Sequence, residues 1–207
     1  MKNFPTKRYK SIALFSKEYF SLIENNFHNI DYNQLNASTN LIEKTIKKNN
    51  TIFICGNGGS AAISNHFICD AFKNLRVNTN FLPKVYSLNS NNELISAISN
   101  DISFDKIFVF QLESLFKKGD ILIAISSSGN SKNVINAAQY VKKKGGKTIS
   151  ITGFTGGKLK KITDFSLHVN VDNYGISEDS AHLLMHIIIQ FLIQKNFKNK
   201  KLSNLIL

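Results

Sequence analysis

The sequence predicts an α/β protein, a doubly wound sheet of five parallel strands with a helical hairpin ahead of it. Three observations point there. From residue 50 onward, short apolar and β-branched runs alternate with amphipathic segments, the pattern of strands joined by crossover helices. Several of these runs are apolar without interruption, as strands are when helices cover both faces of their sheet. Two of them end in loops of glycine, serine and asparagine that lead directly into a helix, which is how a parallel strand enters its crossover.

Composition fits one such domain. The chain has 207 residues, 43% of them hydrophobic, enough for a single well-buried core with a small helical piece beside it. No uninterrupted apolar run reaches the length of about 18 residues that crosses a bilayer. The opening residues Met1-Lys2-Asn3-Phe4-Pro5-Thr6-Lys7-Arg8 lack the apolar core of a secretory signal, so the expectation is a cytoplasmic protein with no membrane partner. Cys55 and Cys69 have no C-x-x-C spacing; they suggest neither a disulfide framework nor a thiolate zinc site and read as small buried hydrophobes. A net charge of +12 raises the question of nucleic acid. The lysines are spread over helix faces and gathered at Lys195, Lys198, Lys200 and Lys201, without interleaved aromatics or a nucleic-acid motif. We therefore expect a solvated basic surface, no nucleic-acid partner, and some attraction for anionic sugar phosphates.

Taken in order, residues 1–49 form two helices broken at Asn29-Ile30-Asp31. Ile12, Phe15, Tyr19, Leu22 and Ile23 share one face of the first, and Leu35, Leu41, Ile42 and Ile46 one face of the second. These faces need a partner, either the main domain or another subunit, and they exceed what one small α/β domain covers; a homo-oligomer is expected. His28, near the break, reads as solvent-exposed. Residues 50–207 form the main domain. Strands are predicted at 51–55, 84–88, 121–126, 148–152 and 165–171, and helices near 60–74, 91–99, 104–117, 131–144, 156–162 and 177–194. His168, on the fifth strand, reads as outward-facing or hydrogen-bonded.

The loop after the first strand is Cys55-Gly56-Asn57-Gly58-Gly59-Ser60. Ser60 is the predicted N-cap of the following helix. Glycines there let an anion approach the main chain where unpaired N–H groups meet the positive end of the helix dipole. The loop matches neither the dinucleotide fingerprint nor the P-loop, and alone it is no more than a tight turn. The loop Ser126-Ser127-Ser128-Gly129-Asn130-Ser131, after the third strand, repeats that chemistry in the same structural position, and the pair points to a phosphate. Ligands of doubly wound sheets bind outside the carboxyl ends of the strands, where the strand order reverses. Both loops lie at carboxyl ends. Asn100-Asp101, in a connection on that side, is either a turn with a helix cap or a pair of sugar-hydroxyl contacts. Beyond the glycine loop, His66 and Asp70 lie one helical turn apart on one face. Glu178, His182 and His186 form a stripe at i, i+4 and i+8 on the last helix, among Leu183, Leu184, Ile187 and Ile188. Ionisable groups on a buried stripe are costly unless paired, metal-bound or catalytic, so both helices point to acid–base or metal chemistry beside the phosphate.

These residues resemble the SIS (sugar isomerase) domain and, within it, the phosphoheptose isomerases. The resemblance spans essentially the whole chain. It rests on the loop 55–60, on Ala97-Ile98-Ser99-Asn100-Asp101, on Gly119-Asp120 leading to 125–131, and on Thr152-Gly153 followed by Gly156-Gly157-Lys158. It implies a flavodoxin-like three-layer αβα fold and an aldose–ketose isomerase acting on sedoheptulose 7-phosphate or a related sugar phosphate for surface polysaccharide. It implies that Asn57, Gly58 and Gly59 contact the sugar phosphate, that Asn100 and Asp101 lie near its hydroxyls, and that Ser126, Ser127, Ser128 and Ser131 hold the phosphate. Zinc or another divalent cation is implied at His66, Asp70, Glu178 and His186, and a homotetramer with sites at subunit interfaces is implied as the assembly. In the isomerisation, Asp70 is the expected base, Glu178 a second carboxylate that also contacts substrate, and His186 the acid. His182 is either a partner to a ligand or a substrate contact. Two positions depart from the family, which usually has glutamate in place of Asp70 and glutamine in place of Glu178. Asp70 is one methylene shorter, which withdraws its carboxylate by roughly 1.5 Å, and Glu178 adds a carboxylate nearby. The competing expectation is a noncatalytic SIS protein that senses a sugar phosphate or bridges partners; four proton- or metal-handling groups together favour the enzyme, because a pure binder has no need of them.

Overall fold

The computed structural model describes residues 4–199. Its N-terminal hairpin is α1 (Ile12–His28) and α2 (Tyr32–Lys47). Then follow β1 (Thr51–Cys55) and α3 (Gly59–Cys69), the latter carried on by a π-helical turn (Asp70–Leu75) and a last α turn, α4 (Arg76–Asn78). β2 (Lys84–Ser87), α5 (Asn92–Asp101), a 3-10 turn (Phe104–Lys106) and α6 (Ile107–Leu115) lead to β3 (Ile121–Ile125) and α7 (Lys132–Lys143). β4 (Lys147–Thr152), α8 (Gly157–Ile162), β5 (Phe165–His168) and α9 (Tyr174–Lys195) complete the chain. All pairings are parallel and the order is β2-β1-β3-β4-β5, the five-stranded doubly wound sheet that the alternating pattern predicts. The order reverses between β1 and β3, so the carboxyl ends of these two strands flank the switch point.

Strand side chains alternate between two cores. On one face Ile52, Ile54, Ile121, Ile123 and Ile151 meet α2, α3 and α9 through Ile42, Ile46, Phe67, Leu184 and Ile188. On the other, Phe53, Cys55, Leu122 and Ala124 meet Ile98, Phe108, Leu112 and Val134. The hairpin belongs to the first core: α2 lies against β1, β5 and α9. Phe15, Tyr19, Leu22 and Ile23 of α1 pack on it as predicted, but Ile12 is 81% exposed, because it opens the helix beyond the reach of the core.

Several sequence expectations are corrected. By length and composition α9 is apolar enough to cross a membrane, although polar residues interrupt its apolar run. Its Ala181, Leu184, Met185, Ile188 and Leu192 are buried against the rest of the protein, so the apolarity serves the core. α9 starts at Tyr174, a turn earlier than predicted, because Asn173 caps it by accepting from Ile176 N at 2.8 Å. The helix predicted at 104–117 is broken at its start, where Ser103 caps a 3-10 turn, and β5 ends at His168 although Val169 and Val171 remain buried. Cys55 is buried, which pushes its thiol pKa up, but Cys69 is exposed at the end of α3. His28 is exposed as the last residue of α1, and His168 Nδ1 lies 3.0 Å from Thr152 Oγ1.

Candidate active site

The glycine loop turns on Gly58, the N-cap of α3, at φ 54° and ψ −123°, a conformation natural to glycine. The cap thus falls two residues before Ser60, which is buried inside the first turn and does not cap the helix as predicted. Ser60 N donates to Asn57 O and Ala61 N to Gly58 O, both at 3.0 Å, so the loop closes tightly onto the start of α3. Asn57, expected to contact substrate, commits its amide elsewhere. Its Nδ2 donates to Asn133 Oδ1 and its Oδ1 accepts from Asn133 Nδ2, both at 2.9 Å. Asn133 is 1% exposed, so this reciprocal pair ties the glycine loop to the first turn of α7. Sequence reading missed Asn133, since nothing in its neighbourhood separates it from an ordinary helical asparagine.

The serine loop is built from the inside. Ser126 Oγ and Ser131 Oγ share a hydrogen bond at 3.1 Å, Ser128 Oγ accepts from Asn130 N at 3.2 Å, and Gly129 N donates to Ser126 O at 3.0 Å. Ser131 stands at the N-cap position of α7 without capping it by its side chain; Val134 N donates to Asn133 Oδ1 at 2.9 Å, and the N–H groups of Lys132 and Asn133 lie at the loop. The loop 153–158 buttresses this one: Gly153 N donates to Ser127 O at 2.9 Å and Lys158 N to Asn130 Oδ1 at 3.1 Å. Hydroxyls and main-chain N–H groups at a helix start suit phosphate oxygens without a lysine. Asn100 and Asp101 are the last residues of α5 and are exposed; Asn100 Nδ2 donates to Asp101 Oδ1 at 2.8 Å. Among the described residues no hydrogen bond joins them to either loop.

α3 and α9 lie side by side and run in the same direction. Gly59 faces Glu178, whose Oε2 would be 2.3 Å from a Cβ placed on that glycine. Further along, the His66 ring meets His182 at 4.5 Å and His186 at 5.1 Å between centroids, and His66 Nε2 is 3.0 Å from His186 Nε2. Asp70 Oδ2 lies 3.4 Å from His66 Nε2 and 3.3 Å from His186 Nε2. The carboxylate is buried, 5% exposed, and its Oδ1 accepts from Asn74 Nδ2 at 3.0 Å. Oδ2 has no hydrogen bond with either ring despite their nearness, and buried His182 Nε2 has none either. Two unpartnered polar atoms in one cluster are unusual in a protein interior. One ring nitrogen from each of His66, His182 and His186 falls within 4.8 Å of the others. A cleft of about 300 Å³ opens beside His66, Asp70 and His186, floored by Asn74, Ile189 and Ile193.

The donor set fits a divalent cation. Ligand atoms around a tetrahedral zinc, bonded at about 2.0–2.1 Å, stand roughly 3.3–3.4 Å from one another. The triangle of His66 Nε2, His186 Nε2 and Asp70 Oδ2 has nearly that size, so the shorter acid does reach the histidines. Burial lowers the pKa of His182, as do the neighbouring His66 and His186, which favours the neutral imidazole that binds metal. Glu178 departs from the expectation. It precedes His182 by one turn, about 6 Å, which leaves it at the glycine loop while the three histidines converge beyond it. From Gly59 to His66 the axis of α3 advances about 10 Å, a span that an extended sugar phosphate covers.

The fold thus sets glycine- and serine-rich loops at the switch point of a doubly wound sheet, with a cluster of histidines and one buried carboxylate on α3 and α9, a layout suited to a sugar phosphate. The SIS domain family model matches residues 18–153, and the chain belongs to that family. Within it, the curated proteins most similar to this chain include phosphoheptose isomerases. That of Aliarcobacter butzleri is 37% identical over 158 residues, 76% of this chain and 83% of the relative. That of Helicobacter pylori strain Shi470 is 37% identical over 163 residues, covering 79% and 84%. A probable phosphoheptose isomerase of Thermoplasma acidophilum is 35% identical over 167 residues, covering 81% and 91%. Among solved structures, the phosphoheptose isomerase of Neisseria gonorrhoeae superposes with a TM-score of 0.79 at 26% identity, covering 87% of this chain and 97% of that one.

Proposed function

We propose that the protein is a metal-assisted phosphoheptose isomerase that interconverts sedoheptulose 7-phosphate, or a closely related sugar phosphate, with its aldose isomer. The observation that carries this reading is Asp70 Oδ2, buried and without a hydrogen bond between two imidazoles, on the helical run that the glycine loop begins. A binding module has no use for such a carboxylate.

Ser126, Ser128, Ser131 and the N–H groups of Lys132 and Asn133 hold the phosphate, and the glycine loop and Glu178 flank the sugar. The carbonyl end then reaches the histidines. Asp70 takes the proton from the carbon beside the carbonyl, and the C–H electron pair becomes the double bond of an enediol as the carbonyl oxygen gains a proton. Glu178 is the second carboxylate, beside the glycine loop. His186, through the ring nitrogen that does not face the cation, returns a proton to the neighbouring carbon while the other hydroxyl loses its own and becomes the new carbonyl. His66, Asp70 and His186 would hold the cation, zinc or another divalent ion, which when bound supplies positive charge for the enediolate oxygen. On the same reading the enzyme works in the cytoplasm as a homotetramer and supplies heptose for surface polysaccharide.

The test is incubation of the purified protein with a panel of heptose, hexose and pentose phosphates, with and without zinc, followed by NMR of the products. We expect the aldose isomer from sedoheptulose 7-phosphate. Binding of phosphosugars without any interconversion would leave the noncatalytic sensor as the better reading.

A further inference from the structure

We propose that His182, and not Glu178, completes the cation site formed with His66, Asp70 and His186. The inference rests on the metal-assisted reading above and names the fourth ligand within it. Four observations on this chain support it. The His182 ring is 4.5 Å from that of His66 and 4.6 Å from that of His186. Its Nε2 is buried without a hydrogen-bond partner, so coordination would satisfy an atom that the protein leaves unserved. A ring nitrogen of His182 lies within 4.8 Å of ligand nitrogens from both neighbours, close enough for small side-chain rotations to bring all three to one ion. Glu178, by contrast, has its carboxylate packed on Gly59, at the phosphate end of the cleft.

Helix geometry explains the exchange. α3 presents His66 and Asp70 to α9, and α9 offers a residue at every fourth position: Glu178, His182, His186. The residues nearest His66 along α9 are the two histidines, and Glu178 is one turn too early. Three imidazole nitrogens with one carboxylate form a set suited to zinc. Glu178 stays outside the coordination sphere, where its carboxylate faces the sugar.

The experiment uses the full chain, stripped with a chelator and titrated with Co²⁺ and then Zn²⁺, with visible absorption and calorimetry as readouts. The native protein should bind one Co²⁺ per chain. Because loss of even an outer partner of a ligand costs 10–100-fold, His182→Ala should weaken binding by at least about 100-fold, while Glu178→Gln should stay within about threefold of native. His182→Cys should retain the ion and add a sulfur-to-cobalt charge-transfer band in the near ultraviolet that the native protein lacks, a gain of signal that does not depend on an unfolded variant. Glu178→Gln losing the ion while His182→Ala keeps it would overturn the proposal, as would His182→Cys binding Co²⁺ without the band. If the native protein binds no cation, the proposal falls with the metal reading, and turnover by the chelated enzyme shows whether the isomerase reading stands apart from it.

Discussion

In the proposed mechanism both the proton transfer and the cation turn on Asp70, and its geometry decides what a longer acid would do there. With Oδ2 already 3.3–3.4 Å from both imidazoles and Oδ1 fixed by Asn74, an added methylene drives the carboxylate roughly 1.5 Å toward the two rings. We predict that Asp70→Glu lowers cation affinity and turnover together; a rise in turnover would show that the cleft is shaped for the longer acid. Asp70→Asn should reduce turnover by about 10²–10⁴-fold, the usual contribution of a positioned base. Asn133→Ala removes both bonds of the amide pair and strands Asn57, and should cost about 1–3 kcal/mol in urea unfolding; no change would mean that the pair does not brace the two loops. At this scale the sequence was legible where helical spacing alone places residues on a face, as for His66 with Asp70 and for the stripe on α9. It was not legible for the Asn57–Asn133 pair or for the position of Glu178, since both depend on which turns of two distant helices come to face each other.

Elements hold the site through a few connections that can be broken singly. Glu43 of α2, 5% exposed, accepts from Lys47 at 2.8 Å and from Lys195 of α9 at 2.7 Å. Burial pushes its pKa up, but hydrogen bonds from Lys195, Lys47 and Asn196 outweigh this and lower it from 4.5 to about 2. A carboxylate with a depressed pKa stabilises the fold fully above its unfolded value, and that stability is lost as the pH falls through the folded one. Native protein should therefore melt above Glu43→Gln at neutral pH, and the gap should close as the pH drops from about 4.5 to about 2; a gap independent of pH contradicts the charge pairing. At the serine loop, Gly129 has φ +66° and its missing Cβ would lie 1.9 Å from the Gly156 carbonyl oxygen. Gly129→Ala should lower the melting temperature and abolish phosphate binding measured by calorimetry, whereas Ser126→Ala should weaken binding by about 1.5–3 kcal/mol with the fold intact. The strands were readable because apolar runs between turn residues have few other uses. The π turn at Asp70 and the early start of α9 were not, because each is set by local hydrogen bonding rather than by hydrophobic period.

The whole molecule carries more apolar surface than a monomer needs. Phe20 of α1 is 68% exposed, Tyr32 of α2 61%, and Ile187 and Phe191 of α9 43% and 48%; the last two line a shallow apolar groove with Tyr32 and Leu35. A second copy of the chain is the simplest cover for such faces, and light scattering at micromolar concentration should find an oligomer, with a monodisperse monomer as the contrary result. The topology followed from the alternating pattern, whereas the demand for partners could be read only as an excess of apolar helix faces. The central claim is proton transfer at carbon, and the most direct measurement is ¹H NMR of sedoheptulose 7-phosphate with the native protein in D₂O. The account predicts that deuterium replaces the hydrogen on the carbon beside the carbonyl as the aldose isomer forms, and that Asp70→Asn slows both. A substrate that binds yet keeps its carbon-bound hydrogens and forms no aldose would contradict it.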